Sequence, residues 1–184
     1  MTLYALAENP KALEKLREEI KQMYDPMQDE ISIEKLNKMD YLTAVLKETL
    51  RVYNPAAFGP AFRNATKDHK LGDLEIKKDT IVGVASIFTF FHSKYFDDPF
   101  TFRPERWIEK PNVSDAFAYT PFWAGPRNCI GQHLAMIEAK IILCEFVKMF
   151  DFERLKDYVL KMNSMKGYGP EDKMPMNLTK RTEN

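Results

Sequence analysis

The sequence predicts a mainly helical fold with a small β-sheet, an α+β class, on three observations. Helical patterns fill the first third, one segment charged and one strongly apolar. Residues 61–84 carry short branched and aromatic runs around a turn. Residues 130–150 then form one long apolar run without proline or glycine after Gly131.

Residues 1–8 read as the last turns of a helix. Asn9-Pro10 supplies an N-cap and a proline at the first helical position, and a charged helix runs from there to about Tyr24. Ser32 caps a short helical turn. Asp40 caps a stronger helix, in which Leu42, Val45, Leu46, Thr49, Leu50 and Tyr53 recur at helical spacing. Asn54-Pro55 ends it, because the residue before a proline is pushed out of the helical region. Phe62-Arg63-Asn64-Ala65 and Thr80-Ile81-Val82-Gly83-Val84 are strand-like, with Leu71-Gly72-Asp73 as a turn between short strands. A short helix fits residues 86–91. Residues 93–121, rich in proline, aspartate and aromatics, predict an ordered irregular meander. In the long helix at 130–150, apolar residues nearly encircle the axis, which predicts burial on most sides. The polar tail, residues 156–184, predicts a short exposed hairpin. Two other helices and a small sheet are thin cover for so apolar a helix, so the chain reads as the centre of something larger.

The chain has 184 residues, enough for one core. Lysine plus arginine equals aspartate plus glutamate at 27 each, so no net field favours nucleic acid or anionic lipid. Two cysteines make no disulfide framework, and a reducing compartment fits. The N-terminus lacks the basic start of a signal peptide. The apolar run at 81–91, eleven residues with Ser86 and Thr89 inside it, is too short to span a bilayer.

The chemistry concentrates in Phe-Trp-Ala-Gly-Pro-Arg-Asn-Cys-Ile-Gly-Gln-His-Leu-Ala, residues 122–135. Cys129 precedes the long helix, where unpaired N–H groups and the helix dipole favour a thiolate. Gly125 and Gly131 let backbone approach a flat ligand. Arg127 suits a carboxylate or phosphate, and Phe122 would pack over the thiolate side. A lone cysteine is more often a small buried hydrophobe, Arg127 alone would be a surface cation, and Phe122 alone would be a core aromatic. Together they match what an iron-bearing, carboxylate-bearing planar cofactor held by one thiolate requires. At average residue usage, these five residues and Ala135, six fixed positions in that window, arise by chance roughly once in ten to a hundred million windows.

This window resembles the haem-binding loop of the cytochrome P-450 family, Phe-x-x-Gly-x-Arg-x-Cys-x-Gly-x-x-x-Ala. Trp123 departs from it, standing where the family usually has a small or polar residue. The resemblance implies that Cys129 is the axial thiolate ligand of the iron of haem b. Pro121, Phe122, Gly125, Ile130, Gly131 and Ala135 would line the haem, and Arg127 would contact a propionate. Lys-Glu-Thr-Leu-Arg places Glu48 and Arg51 at i,i+3 on an apolar helix, similar to the family's Glu-x-x-Arg pair. Glu14 and Arg17 repeat the spacing and read as a solvated surface pair. Phe102-Arg103-Pro104-Glu105-Arg106-Trp107 resembles the family's proline–arginine–aromatic motif. By that resemblance Arg106 joins Glu48 and Arg51 in a buried structural charge network. Arg63 matches an arginine reaching a second propionate. Ala56, Ala57 and Phe58 match a stretch that passes over the haem and touches substrate.

The resemblance runs over residues 3–179 and implies the C-terminal part of that fold: helices J, K, K' and L, the meander and the haem loop. Residues 1–184 would be a partial domain, without the central oxygen-binding helix and the N-terminal half. A complete member inserts one atom of O2 into a small apolar substrate. Its electrons come from NADPH through a reductase partner. It sits in the endoplasmic reticulum membrane through an N-terminal anchor, whereas this chain alone leaves the cytoplasm open. Nucleic acid is not an expected partner. As an isolated portion the chain is expected to be inactive, and catalytic residues are expected to lie outside it. Two other readings stay open: a non-catalytic haem-binding or interaction fragment, and a zinc module using Cys129 and His133. His133 alone reads as an ordinary helix residue, His92 as structural and His69 as part of a turn.

Overall fold

A computed structural model describes residues 1–23, 32–56, 62–110, 115–163 and 169–181. Ala57 and Phe58 lie outside the described residues. Helix α1 (Thr2–Glu8) leads directly into the charged α2 (Pro10–Met23), followed by α3 (Ile33–Lys38) and α4 (Asp40–Val52). Strands β1 (Arg63–Asn64) and β4 (Ile81–Val82) pair antiparallel, enclosing the hairpin β2 (His69–Leu71) and β3 (Leu74–Ile76). That hairpin turns at Gly72, whose φ of +58° costs a glycine little. Short helices α5 (Ile87–Phe90) and α6 (Arg106–Glu109) flank and punctuate the meander. Helix α7 (Gln132–Met149) passes without a break into β5 (Phe150–Arg154). Strands β6 (Met162–Asn163) and β7 (Gly169–Pro170) form a small ladder, and β8 (Met176–Lys180) returns to pair with β5.

The core lies where α2, α4 and α7 meet. Leu16, Ile20, Leu42, Val45, Leu143 and Val147 are its buried centre, with Leu6, Leu36 and Phe152 closing it from α1, α3 and β5. Burying each such side chain is worth about 1.5–3 kcal/mol. Lys140 of α7 is buried too, and its Nζ donates to the Leu36 carbonyl at 3.2 Å. It closes the end of α3, where unpaired carbonyls and the helix dipole favour a cation. Burial lowers its pKa from the usual lysine value. Arg17 of α2 reaches the Phe150 carbonyl and Asp151, and Arg154 pairs with Glu8, so β5 is fastened to both leading helices.

Several elements differ from the sequence expectations. The Asn9 side chain donates to the Ala5 carbonyl at 2.7 Å and so closes α1. Asp40 is the first residue of α4 and Met39 is the N-cap, without a side-chain cap bond. The cap comes from another helix: Glu19 of α2 accepts from Tyr41 N at 2.7 Å and Leu42 N at 2.8 Å. A carboxylate on a neighbouring helix thus does the work that local spacing assigned to Asp40. Ser32 does cap α3, accepting from Lys35 N. The long helix starts at Gln132, two residues later than expected. It is also not buried on most sides. Leu143, Cys144 and Val147 are buried, but Ile130 is fully exposed at 101%, Leu134 at 61% and Ile142 at 67%. Apolar periodicity around an axis reports what a helix could bury, and this chain covers only the face toward α2, α3 and α4. The strand after α7 went unforeseen: the long helix was expected to end at Phe150, and the residues after it form a strand only because β8, further along the chain, supplies a partner.

Candidate functional site

Two structures built from the predicted residues stand out: a buried charge network and an exposed cysteine loop. The network begins on α4, where i,i+3 spacing sets Glu48 and Arg51 on one face. Both are fully buried, and Arg106 at the start of α6 is 7% exposed. The Glu48 carboxylate accepts five bonds. Arg51 gives two, from Nη2 at 2.8 Å and Nε at 3.0 Å. Arg106 Nε gives one at 3.0 Å, Trp107 Nε1 one at 2.9 Å and Arg103 N one at 2.9 Å. The guanidinium protons left over go to main-chain carbonyls of the meander and of α5 just before it. Arg51 donates to Phe90 O, Pro99 O and Thr101 O, and Arg106 to Asp97 O, Asp98 O and again Thr101 O. Planar faces are covered as well, with Arg51 5.2 Å from the Phe96 ring centroid and 5.6 Å from that of Phe91. Two buried cations on one carboxylate are tolerable because carbonyl dipoles take up the remaining charge.

Around this network an aromatic layer ties the meander to α4. Trp107 packs against Tyr119 at 4.4 Å between centroids and against Phe96 at 5.9 Å. The Tyr119 hydroxyl donates to the Lys47 carbonyl at 2.9 Å, and burial raises its pKa well above the usual tyrosine value. Sequence reasoning missed Asn54, having taken Asn54-Pro55 only as a stop. Asn54 is buried at the end of α4; its Nδ2 donates to Pro121 O at 2.9 Å and its Oδ1 accepts from Ala56 N at 2.7 Å. One amide therefore holds the start of the cysteine loop and the start of the 56–58 stretch together. The available signal was the choice of asparagine, a residue that caps its own backbone two positions on.

The cysteine loop is fixed by backbone. Half-buried Phe122 accepts from Cys129 N at 2.9 Å through its carbonyl, and Asn128 N donates to Gly125 O at 3.1 Å. A single 3₁₀ turn, Gly125–Arg127, lies between, with Gly125 at φ +77°. Residues 124–130 are all exposed. Cys129 stands two residues before Gly131, the N-cap of α7, with its carbonyl accepting from Gln132 N at 3.3 Å. A β-carbon at Gly131 would stand 3.9 Å from Cys129 Sγ, so its absence leaves that flank of the sulfur open. The second cysteine contrasts: Cys144 is buried, and desolvation pushes its thiol up to about 11. Arg127 and Ala135 are exposed on the loop and on α7. Arg63 is exposed on β1, beside an open hollow of about 510 Å³ lined with Phe62, Asn64 and Ile81. Among the described residues no group of three or more His, Cys, Asp or Glu could hold a metal ion. His133 is exposed on α7.

The arrangement defines a class: a single exposed thiol on a glycine-flanked loop, backed by a helix-to-meander ion network. The family model described as "Cytochrome P450" matches residues 1–173, and the chain belongs to the cytochrome P-450 family. It is 35% identical over 152 residues to the probable cytochrome P-450 4d20 of Drosophila melanogaster, covering 81% of this chain and 29% of that protein. It is 38% identical over 170 residues to cytochrome P-450 52A3-A of Candida maltosa, covering 84% and 32%. It is 40% identical over 159 residues to a cytokinin hydroxylase of Arabidopsis thaliana, covering 85% and 30%. The chain thus spans about 30% of the length of the curated relatives it matches. No helix among the described residues is long and apolar enough to cross a membrane.

Proposed function

We propose that this chain is the haem-iron-holding portion of a haem-thiolate monooxygenase, and that residues 1–184 correspond to the C-terminal part of the family's fold. The observation that carries the reading is Cys129. It is exposed on a loop fixed at both ends, in a family of haem monooxygenases. The residues fit haem b. The exposed thiol belongs, among the described residues, to no group of three or more metal-binding side chains, glycine leaves its flank open, and Arg63 and Arg127 offer cations for two propionates. Phe122, Ile130 and Ala135, with the exposed apolar face of α7, supply the greasy contact a porphyrin needs. When bound, thiolate-ligated haem supplies activation of O2 and insertion of one oxygen atom into an apolar substrate, with electrons from NADPH through a reductase.

This chain's own residues do the holding. Cys129 would supply the sulfur that holds the haem iron. Phe122 O takes up the Cys129 amide proton and so fixes where the sulfur stands. Asn54 aligns the loop with the substrate-side stretch that starts at Ala56. The Glu48–Arg51–Arg106 network sets the meander under the loop and touches no reacting atom. In a complete protein this portion would sit at the endoplasmic reticulum membrane, anchored from elsewhere in the chain.

The test is the ferrous–carbon monoxide difference spectrum of the chain reconstituted with haem, with Cys129→Ser and Cys144→Ser alongside. A strongly red-shifted Soret band lost only in Cys129→Ser is expected. A blue-shifted band indifferent to Cys129→Ser would overturn the reading. The band without substrate turnover would mark a haem-binding portion that needs the rest of the fold to act.

A further inference from the structure

We infer that Trp123 is a positioning residue for Cys129, acting through its backbone and not its indole, an inference that rests on the reading of Cys129 as the iron ligand. Only four described non-glycine residues have positive φ: Asp79, Asp98, Met174 and Trp123, the last at +64°. An aspartate tolerates the left-handed region through its short polar side chain. A tryptophan has no such compensation, and its Cβ crowds the following carbonyl. Strained residues of this kind persist where the surroundings over-determine them.

The surroundings here are specific. The peptide between Phe122 and Trp123 is anchored from both sides. Its N–H donates to Thr120 O at 3.0 Å, and its carbonyl accepts from Cys129 N at 2.9 Å. Chain direction has to reverse at once after that peptide, so that residue 129 can return to residue 122. The positive φ at Trp123 supplies the reversal. Ala124 then resumes an extended conformation at φ −144°, and Gly125 turns a second time at +77°. A right-handed or extended residue at 123 would swing the Phe122 carbonyl off the Cys129 amide or drive residues 124–128 away from it. The sulfur would then shift relative to α7.

The experiment replaces Trp123 by Gly, Asn, Ala and Val, all of which remove the indole. Glycine and asparagine accept positive φ, alanine resists it, and valine, branched at Cβ, resists it most. Amide hydrogen exchange at Cys129 is read in the haem-free chain, with the buried Leu46 and Val147 amides as internal controls. The ferrous–carbon monoxide band is read after reconstitution. Trp123→Gly and Trp123→Asn are expected to keep Cys129 protection within about twofold of the parent. Trp123→Val is expected to lose about tenfold or more with the control amides unchanged. The red-shifted band should fall in the same order. Trp123→Ala carries the comparison if Trp123→Val does not fold. Equal protection in the Val and Gly variants would overturn the inference, and so would loss in Gly and Asn alongside Val, which would assign the role to the indole. Graded exchange with no red-shifted band even in the parent would leave the positioning intact and overturn the ligand reading alone.

Discussion

The charge network and the cysteine loop lie at the two ends of one tether, Asn54, yet they are held by opposite means. Around Glu48 the partners are buried side chains, Arg51 from three positions away on the same helix and Arg106 and Trp107 from 58 and 59 positions away, with one backbone N–H from Arg103. Around Cys129 the contacts are main-chain, local and exposed. Side-chain networks in low dielectric resist deformation because losing one partner strands the others. Backbone turns with two positive-φ residues hold a shape at some cost and leave their side chains outward. Stability is therefore concentrated in the first region, the second is the one we propose to carry the chemistry, and each can be broken with little direct effect on the other's contacts.

Glu48→Gln should give the largest effect. It leaves Arg51 and Arg106 buried on a neutral amide, and uncompensated buried charge costs about 3–5 kcal/mol. That is a large part of the about 5–15 kcal/mol typical of a whole domain. Equilibrium unfolding in urea should show it as a lower midpoint with the slope retained. A loss under about 1 kcal/mol would mean that the carbonyls of the meander suffice for both guanidiniums.

The contrast also explains what the sequence made legible. Glu48 and Arg51 were legible because they sit on an apolar helix in a recognisable local motif, the i,i+3 spacing alone being shared by Glu14 and Arg17, and Cys129 because its loop is one continuous window. Trp107 was not legible as a donor to Glu48, since nothing in the sequence says that an indole N–H will arrive there from 59 positions away. The same applies to Glu19 capping α4 from α2, and to Lys140 closing α3 from 104 positions away. The exposed face of α7 was misread because periodicity counts apolar residues without knowing how many neighbours this chain can bring. Asn54 was half legible: the break was visible, and its reach to Pro121 was not.

Asn54→Ala comes next, and it bears on the link between the two regions. It removes the amide donor from the half-buried Pro121 carbonyl and frees Ala56 N, and losing the two bonds should cost about 1–3 kcal/mol. Amide exchange should accelerate at Cys129 more than at Val45 in the core, measured in the same sample. Equal acceleration at both would show that the tether supports the fold generally and not the loop.

Glu19 offers a smaller effect, visible only against pH. Burial raises its carboxyl above the usual value of 4.5, outweighing the lowering by the Tyr41 and Leu42 amides. A folded pKa above the unfolded one makes this group's contribution fully present below about 4.5 and lost as pH rises through the folded value. Glu19→Gln is neutral throughout. Its stability relative to the parent should therefore rise as pH climbs from 4.5 through that window and level off above it. Denaturant midpoints of both proteins across pH 4–7 read this directly, and parallel curves would mean that Glu19 is as well solvated folded as unfolded.

The smallest expected change in stability is the most discriminating. Cys129→Ser alters one exposed residue whose own hydrogen bonds, to Phe122 O and from Gln132 N, are main-chain, so unfolding should move by less than about 0.5 kcal/mol. The same substitution should abolish the red-shifted ferrous–carbon monoxide band completely. A residue that matters to nothing in the haem-free fold and to everything in ligation is what the division between the two regions requires. If Cys129→Ser instead destabilised the haem-free chain as much as Asn54→Ala, the sulfur would be a packing element of the loop. The exposed side of the comparison would then lose its claim to be the functional one.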